Sequence, residues 1–377
     1  MTTTLRTTKL LPTYPPVPVA FTRGEGTWLY DEANRRYLDF GGGIAVVALG
    51  HRHPAPLRAA QDQLDRIWHA SNLFGTLPGA ELAGRLSDRF GATGAQAFLC
   101  NSGTEAIEAA IKYATKATGK HGIVALEGSF HGRTLGALAA TGQPAKRAAF
   151  ESLLARVTFV PPGDVDALED AVGPDTALVL LEVIQGEGGV RPLPVEFVRA
   201  AAALDPLLCI DEIQTGVGRT GTFFAFEQFD VRPELVTLAK GLANGLPIGC
   251  LLVGEESAGA FVPGDHGSTF GGNPVSCAAA CAVVDAIDDE LLANVRAQGA
   301  RLRAGLGRLS GVSEVRGGGL LVGAEVEIPA SEVATAALER GLVVLTAGEH
   351  VLRLAPPLVV GADEIDHALT VLEEVLG

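Results

Sequence analysis

The sequence predicts an α/β protein: a large domain on a mostly parallel seven-stranded sheet flanked by helices, followed by a smaller α+β domain. Three observations carry this. From about residue 96 to 254, seven short β-rich apolar runs alternate with helical patterns, as in strands joined by crossover helices. After Asn273 the pattern turns long and helical through about residue 309, then gives strands and helices of a different order. A chain of 377 residues with 47% hydrophobic content suffices for one large core and a smaller second one, because single cores stop growing below this length.

The seven runs are QAFLC, GIVAL, RVTFV, TALVLLEV, LLCID, ELVTLA and PIGCLLVG. The C-terminal unit reads as a glycine-marked strand pair, VRGGGLLVGAEVEI, a helix around Ser331 to Arg340, a strand VLRLA and a final helix. Upstream, GTWLYDEANRRYLDF has Glu32 to Asn34 between two aromatic runs and predicts a hairpin able to join either unit. The predicted division is residues 1–50 as an N-terminal segment packing with the small domain, 51–280 as the large domain and 281–377 as the small one. No internal repeat or low-complexity linker interrupts it.

Composition excludes several classes. The formal net charge of −15, without a lysine-arginine block, argues against a nucleic-acid binder, whose surface must neutralise phosphates; small anionic substrates remain open through local arginines. No run reaches the length of a membrane span. The N-terminal MTTTLRTTKLLPTYPPVPVAF has prolines where a signal peptide needs a continuous apolar helix, and it is too arginine-poor for an organellar transit peptide despite its threonines, so it reads as a mature cytoplasmic N-terminus. The five cysteines are odd in number and mostly lie in apolar stretches, which predicts reduced thiols in a cytoplasmic protein. Cys277 and Cys281 are four apart on a predicted helix; no further ligand completes a set, so helix packing is predicted and no metal.

The chemistry-bearing residues follow strand ends. Lys240 is delivered by the apolar run Glu234 to Ala239. A lysine on a buried strand loses hydration, so its neutral, nucleophilic amine becomes accessible and can form a Schiff base; taken alone, a lysine there reads first as one that merely follows a strand and points to solvent. Asn101-Ser102-Gly103-Thr104 opens a helix, where free amides, a hydroxyl and a glycine make an anion site or simply an N-cap. Asp211 ends LLCID, either as a turn cap or as a carboxylate that keeps a pyridine nitrogen protonated. Phe130 and His131 follow GIVAL; an aromatic there can cover a flat ring, and Arg133 can clamp a carboxylate with its two-pronged guanidinium. Gly216 to Gly221 matches GxGxxG, but the glycines do not follow the strand directly and the aromatic TFFAFEQF follows where a phosphate-bearing helix should begin. It reads as a shaped loop, with a dehydrogenase as the weaker reading. Together, an anion nest, an acid and a lysine after successive strands describe a pyridoxal phosphate site.

These segments are specific enough to carry a resemblance. NSGTEA, GSFHGRT, QGEGG, DEIQTGVGRTG, TLAKG and HGSTFGGNP, in this order, resemble the class III pyridoxal-phosphate aminotransferases of fold type I, from about Gly26 to the C-terminus. Within that class, GGGIAVVALGHRHP, SNLF and VLRLAPPLVV resemble the bacterial branch acting on N-acetylornithine. The resemblance implies pyridoxal 5'-phosphate as cofactor, with 51–280 as the domain binding it. It implies Lys240 as the Schiff-base lysine, Asp211 at the pyridine nitrogen and Gln214 near the ring hydroxyl. Phe130 would stack on the ring with His131 beside it, and Ser102, Gly103 and Thr104 would hold the phosphate. Thr269 would reach the phosphate of a neighbouring subunit, which implies a homodimer with shared sites. Arg133 would hold the substrate carboxylate remote from the reacting carbon and Arg353 the one next to it in 2-oxoglutarate, with Glu187 pairing Arg353 when the donor has no such carboxylate. Ile44 stands where ornithine aminotransferases of this class carry a tyrosine, which argues against unacylated ornithine. Ile107, Val183 and Thr346 depart from the family's usual residues without touching a proposed role. The implied reaction is ping-pong transamination of N-acetylornithine with 2-oxoglutarate. The readings left beside it are the equivalent lysine-pathway enzyme, succinylornithine and 4-aminobutyrate aminotransferases, an aminomutase or racemase on the same fold, and a non-catalytic binding protein.

Overall fold

A computed structural model describes residues 11–14, 19–91 and 94–377. Each of the seven apolar runs is a strand: β1 (Gln96–Cys100), β2 (Gly122–Leu126), β3 (Thr158–Val160), β4 (Thr176–Leu181), β5 (Leu207–Asp211), β6 (Leu235–Leu238) and β7 (Gly249–Val253). They form one sheet in the order β1-β7-β6-β5-β4-β2-β3. The β2–β3, β2–β4, β4–β5 and β5–β6 pairs are parallel, whereas β7 runs antiparallel to both its neighbours. Six C-terminal strand ends therefore share one edge, where an open α/β sheet places its ligands.

These strands read as continuous apolar runs because both faces are covered. Leu178, Leu180, Cys209, Leu235 and Leu251 join one core with Ile107, Ala110 and Ala114 of the helix α1 (Gly103–Thr118). The alternate residues Val179, Leu181, Ile210, Val236, Leu238 and Leu252 join the other, with Leu82, Leu86 and Phe90. The strand period of two thus splits one apolar run between two cores. α1 is bounded by chemistry written in the sequence: Ser102 caps its first turn, accepting from the Glu105 amide, and Gly119 ends it at φ +69°, where glycine carries no Cβ penalty.

The predicted long helix is two helices, Pro274–Ala286 and Asp289–Leu306. Asp288 leaves helical geometry, and its carboxylate accepts the Leu291 amide at 2.8 Å, starting the second helix. The first packs on Pro54–Leu64 and Leu77–Phe90, so a boundary at residue 280 falls inside a helix joined to the large unit. Beyond it, Val312–Gly318, β8 (Leu321–Val326), β9 (Val351–Leu354) and Leu345–Thr346 form an antiparallel sheet covered by Asp289–Leu306 and Ala330–Glu339, with Ala362–Leu376 packed against both helices. The N-terminal hairpin, Trp28–Asp31 with Arg36–Asp39, is tied to this C-terminal unit by the parallel pairing of Arg36–Asp39 with Leu342–Val343. The leader reading falls mostly outside the described residues. Among the described residues, no helix is long and apolar enough to cross a membrane. All five cysteines are free and buried; burial pushes the Cys277 thiol up to about 12 and that of Cys281 to about 11, which keeps both as neutral packing groups.

Candidate active site

The shared edge of the sheet opens into a cleft of about 390 Å³. Ser102, Gly103 and Thr104 after β1, Phe130, His131 and Arg133 after β2, Glu187 in the loop beyond β4, Asp211 and Gln214 at the end of β5, and Lys240 after β6 all line it. Three predicted residues do not. Arg353 on β9 lies behind, bonded to Glu187 and Gln214; Ile44 is 44% exposed at φ +67°; and Thr269 is exposed on the surface of this chain.

Lys240 is not on the strand itself: β6 ends at Leu238, and Lys240 opens a short 3-10 turn at φ +38°, a conformation that costs a non-glycine residue on the order of 1–3 kcal/mol. The turn aims the side chain into the cleft, where burial lowers the ammonium's pKa, opposed by the charges of Glu187, Asp211 and Glu182 and reinforced by Arg353.

Asp211, 3% exposed, is held at both oxygens. Its Oδ2 lies 2.7 Å from His131 Nδ1, and its Oδ1 accepts the Ile213 amide at 3.0 Å and the Thr237 hydroxyl at 3.2 Å. His131 Nε2 is buried without a partner. Sequence reasoning missed the next residue in this network, Glu182, which is buried just past β4. Its carboxyl accepts the Phe130 amide at 2.9 Å and the Gly186 amide at 3.1 Å, tying the two loops that frame the cleft. Burial pushes it up to about 7, with His131 opposing and Asp211 adding to the rise. An acid inside the apolar run TALVLLEV was the available signal. Lys146 was missed too: its ammonium lies 5.5 Å from the centre of the Phe130 ring, as the Arg133 guanidinium lies 5.6 Å from it, and burial lowers its pKa.

Glu187 and Arg353 form an ion pair at 2.5 Å, and the same Arg353 Nη1 donates to Gly186 O at 3.0 Å and Gln214 Oε1 at 3.2 Å. Burial raises the Glu187 pKa, but Arg353, Lys240 and Lys146 together bring it below the ordinary value. Arg353 is 3% exposed, and its Nε is a second buried donor without a partner.

The residues present fit pyridoxal phosphate. The Gly103 and Thr104 amides lie in the first turn of α1, where no helix carbonyl can accept them. The cradle has no room for side chains: a Cβ on Gly103 would lie 2.7 Å from the Ile213 side chain, and one on Gly132 only 2.3 Å from Thr104 Oγ1. Ser102 Oγ is engaged within this turn, donating to Glu105 Oε2 at 3.0 Å. The donor set thus offers amides to an anion, a pinned acid to a ring nitrogen and a desolvated amine to an aldehyde. Gly216–Gly221 forms a shaped loop away from this cleft, with Gly218 at φ +85° and Gly221 at φ +97°.

Comparison with known proteins agrees. The family model for class-III aminotransferases matches residues 11–376. The acetylornithine aminotransferase of Mycolicibacterium smegmatis is 48% identical over 95% of this chain and 94% of its own length, and that of Corynebacterium efficiens 46% identical over 97% and 94%. Among solved structures, the N-acetylornithine aminotransferase of Stenotrophomonas maltophilia superposes with a TM-score of 0.84 at 36% identity, covering 96% of both chains. The ornithine aminotransferase of Toxoplasma gondii superposes at 0.92 and 30%, covering 98% of this chain and 92% of that one. Backbone shape alone therefore does not separate the two substrates.

Proposed function

The chain belongs to the class-III aminotransferase family, and on that premise we propose that it moves the terminal amino group of N2-acetylornithine to 2-oxoglutarate, giving N-acetylglutamate 5-semialdehyde and glutamate, a step of arginine biosynthesis. It is a pyridoxal-phosphate-dependent enzyme working in two half-reactions. The carrying observation is that Lys240 and Asp211 line one cleft with Glu187, which is paired to Arg353.

When bound, pyridoxal phosphate supplies an aldehyde for the amine and a ring that draws electrons from the reacting carbon. Lys240 would hold the aldehyde, Gly103 and Thr104 the phosphate, with Ser102 shaping their turn, Phe130 the ring face, and Gln214 the ring hydroxyl. Asp211, oriented by His131, would hold a proton on the ring nitrogen. Lys240 Nζ would be the base that moves the proton at the substrate carbon, and burial, by lowering its pKa, favours the neutral amine this needs. Arg133 receives the remote carboxylate. Arg353 stays paired with Glu187 while the donor carries no carboxylate at the reacting carbon, since an unpaired buried guanidinium is costly, and turns to the keto acid when Glu187 withdraws. Ile44 supplies no hydroxyl for a free α-amino acid end, which supports an acylated donor.

The active unit we propose is a cytoplasmic homodimer. Trp68, Leu73, Phe74, Leu77 and Phe270 are all more than 60% exposed, and Asn72 and Asn273 tie their two segments together through Ser268 O, Gly271 O and Trp68 O. An exposed apolar face of this kind supports a subunit contact there, with Thr269 on it beside Phe270.

Single-turnover absorbance of the holoenzyme tests the substrate. N-acetylornithine and glutamate should deplete the cofactor band rapidly, and ornithine slowly. A faster response to N-acetyllysine would assign the lysine route instead, and no response to any amine would overturn transamination.

A further inference from the structure

The glycine-rich loop Gly216–Gly221 has no part in the transamination chemistry, yet it holds Arg219, a guanidinium only 3% exposed. Its Nη1 donates to two main-chain carbonyls, Leu320 O at 3.1 Å and Pro356 O at 2.5 Å, and its own carbonyl accepts the Leu320 amide at 3.0 Å. Among the described residues, no carboxylate lies within ion-pair distance of it. Asp39 is the acid that favours its charge, and Asp39 already accepts from the Gly41 and Gly42 amides and meets His51. Burial brings the Arg219 pKa down to about 9. Such a desolvated cation is expensive to keep, and its two carbonyl partners show where it acts.

Leu320 immediately precedes β8, and Pro356 lies two residues past β9. The two strands are antiparallel with Val322 opposite Leu354 and Gly323 opposite Arg353, a register that sets Leu320 across from Pro356. Arg219 therefore closes the end of the strand pair that carries Arg353. Gly319 permits the approach: its φ is +51°, and a Cβ there would lie 2.5 Å from Arg219 O. From the other side, Arg296 Nη1 donates to Gly221 O at 2.5 Å, and a Cβ on Gly299 would lie 2.0 Å from Gly319 O, so the turn is wedged against the helix Asp289–Leu306.

We propose that Arg219 is a positioning residue for the keto-acid half of the reaction: it pins the β8–β9 end to the large domain so that Arg353 stands ready for the carboxylate of 2-oxoglutarate. The proposal rests on the reading of Arg353 as the group that receives this carboxylate. While the amine donor is bound, Glu187 anchors the Arg353 head; once Glu187 withdraws, the guanidinium is held by the Gly186 carbonyl, by Gln214 and by the placement of its own strand. Loosening that strand weakens the keto-acid half and spares the amine half.

The test uses the Arg219→Met and Arg219→Lys holoenzymes, with calorimetric binding of glutarate, a non-reacting dicarboxylate, beside single-turnover rates of both half-reactions. Arg219→Met should bind glutarate at least ~10-fold more weakly, with Arg219→Lys between it and the parent, because a charged hydrogen bond is lost or bent. The N-acetylornithine half should stay within about 3-fold, as for a site outside that contact. Unchanged glutarate binding in a folded variant overturns the proposal, and so does a parallel loss in both halves. If the Met variant fails to fold, the Lys variant decides by the same measure. Arg353→Lys is the control: if it binds glutarate as tightly as the parent, the reading of Arg353 fails and the proposal falls with it, whereas weak binding there and normal binding in the Arg219 variants refutes the latch alone.

Discussion

Two acid–base pairs lie in this site, and they are built differently. The Asp211–His131 pair is sealed: both side chains are at most 3% exposed, and Asp211 has further donors from an amide and a hydroxyl at the heart of the large sheet. Glu187–Arg353 joins a loop of the large unit to a strand of the small one, and the Glu187 side chain keeps a quarter of its surface open to solvent. A buried charge with every oxygen occupied has no low-energy alternative, whereas a half-open carboxylate can trade its partner for water. The sealed pair suits a group that must serve both half-reactions unchanged. The open pair suits a contact that must be made in one and released in the other.

The largest effect should come from the amine that both pairs surround. Lys240→Ala should lower the turnover number by about 10⁴-fold or more, because the proton carrier at the reacting carbon is gone; near-normal steady-state turnover would refute its role. Asp211→Asn attacks the sealed pair and should reduce turnover about 10³-fold in both half-reactions alike, measured by single-turnover kinetics. If only one half suffers, the pair is not a permanent fixture of the site. Glu187→Gln attacks the open pair and should slow the amine-donor half by about 10- to 100-fold while the keto-acid half changes much less. Equal losses in the two halves would remove the distinction between the pairs.

The smallest effect is on stability. Burial holds Glu182 up at about 7, against 4.5 for the ordinary side chain. The folded state thus keeps a proton that the unfolded chain releases first, so this contribution is full below about pH 4.5 and is lost as pH rises through about 7. Glu182→Gln has no such titration. Its unfolding free energy should gain about 3 kcal/mol relative to the parent between pH 4.5 and 7.5, read from urea midpoints; parallel curves would show that Glu182 does not titrate in this range.

Much of this was legible in the chain. Seven apolar runs became seven strands of one sheet, because strands buried on both faces must be written as uninterrupted apolar stretches. Ser102 to Thr104, Phe130, His131, Asp211 and Lys240 were legible because each lies just past a strand, and parallel strands bring their C-terminal ends to one edge, whereas Gln214 and Glu187 were named only through the family resemblance. The helix break at Asp288 was missed, since a capping aspartate inside a charged, alanine-rich stretch looks like any exposed acid. Glu182 was absorbed into the strand that precedes it. Arg219 was read only as part of a glycine loop, because its partners are carbonyls more than a hundred residues away.

The α/β class, the succession of strands that deliver the chemistry, and the lysine, acid and anion nest that define it were all set by local pattern, because they depend on periodicity and on the residues placed just after each strand. Who faces whom was settled only by the packed molecule: that Asp211 meets His131, that Glu187 meets Arg353, that Ile44 and Thr269 stand outside the cleft of their own chain, and that Arg219 closes the strand pair bearing Arg353. Hydrogen bonds reach about 3 Å and burial is set by the whole packed chain, so partners distant in sequence are chosen only when the layers come together.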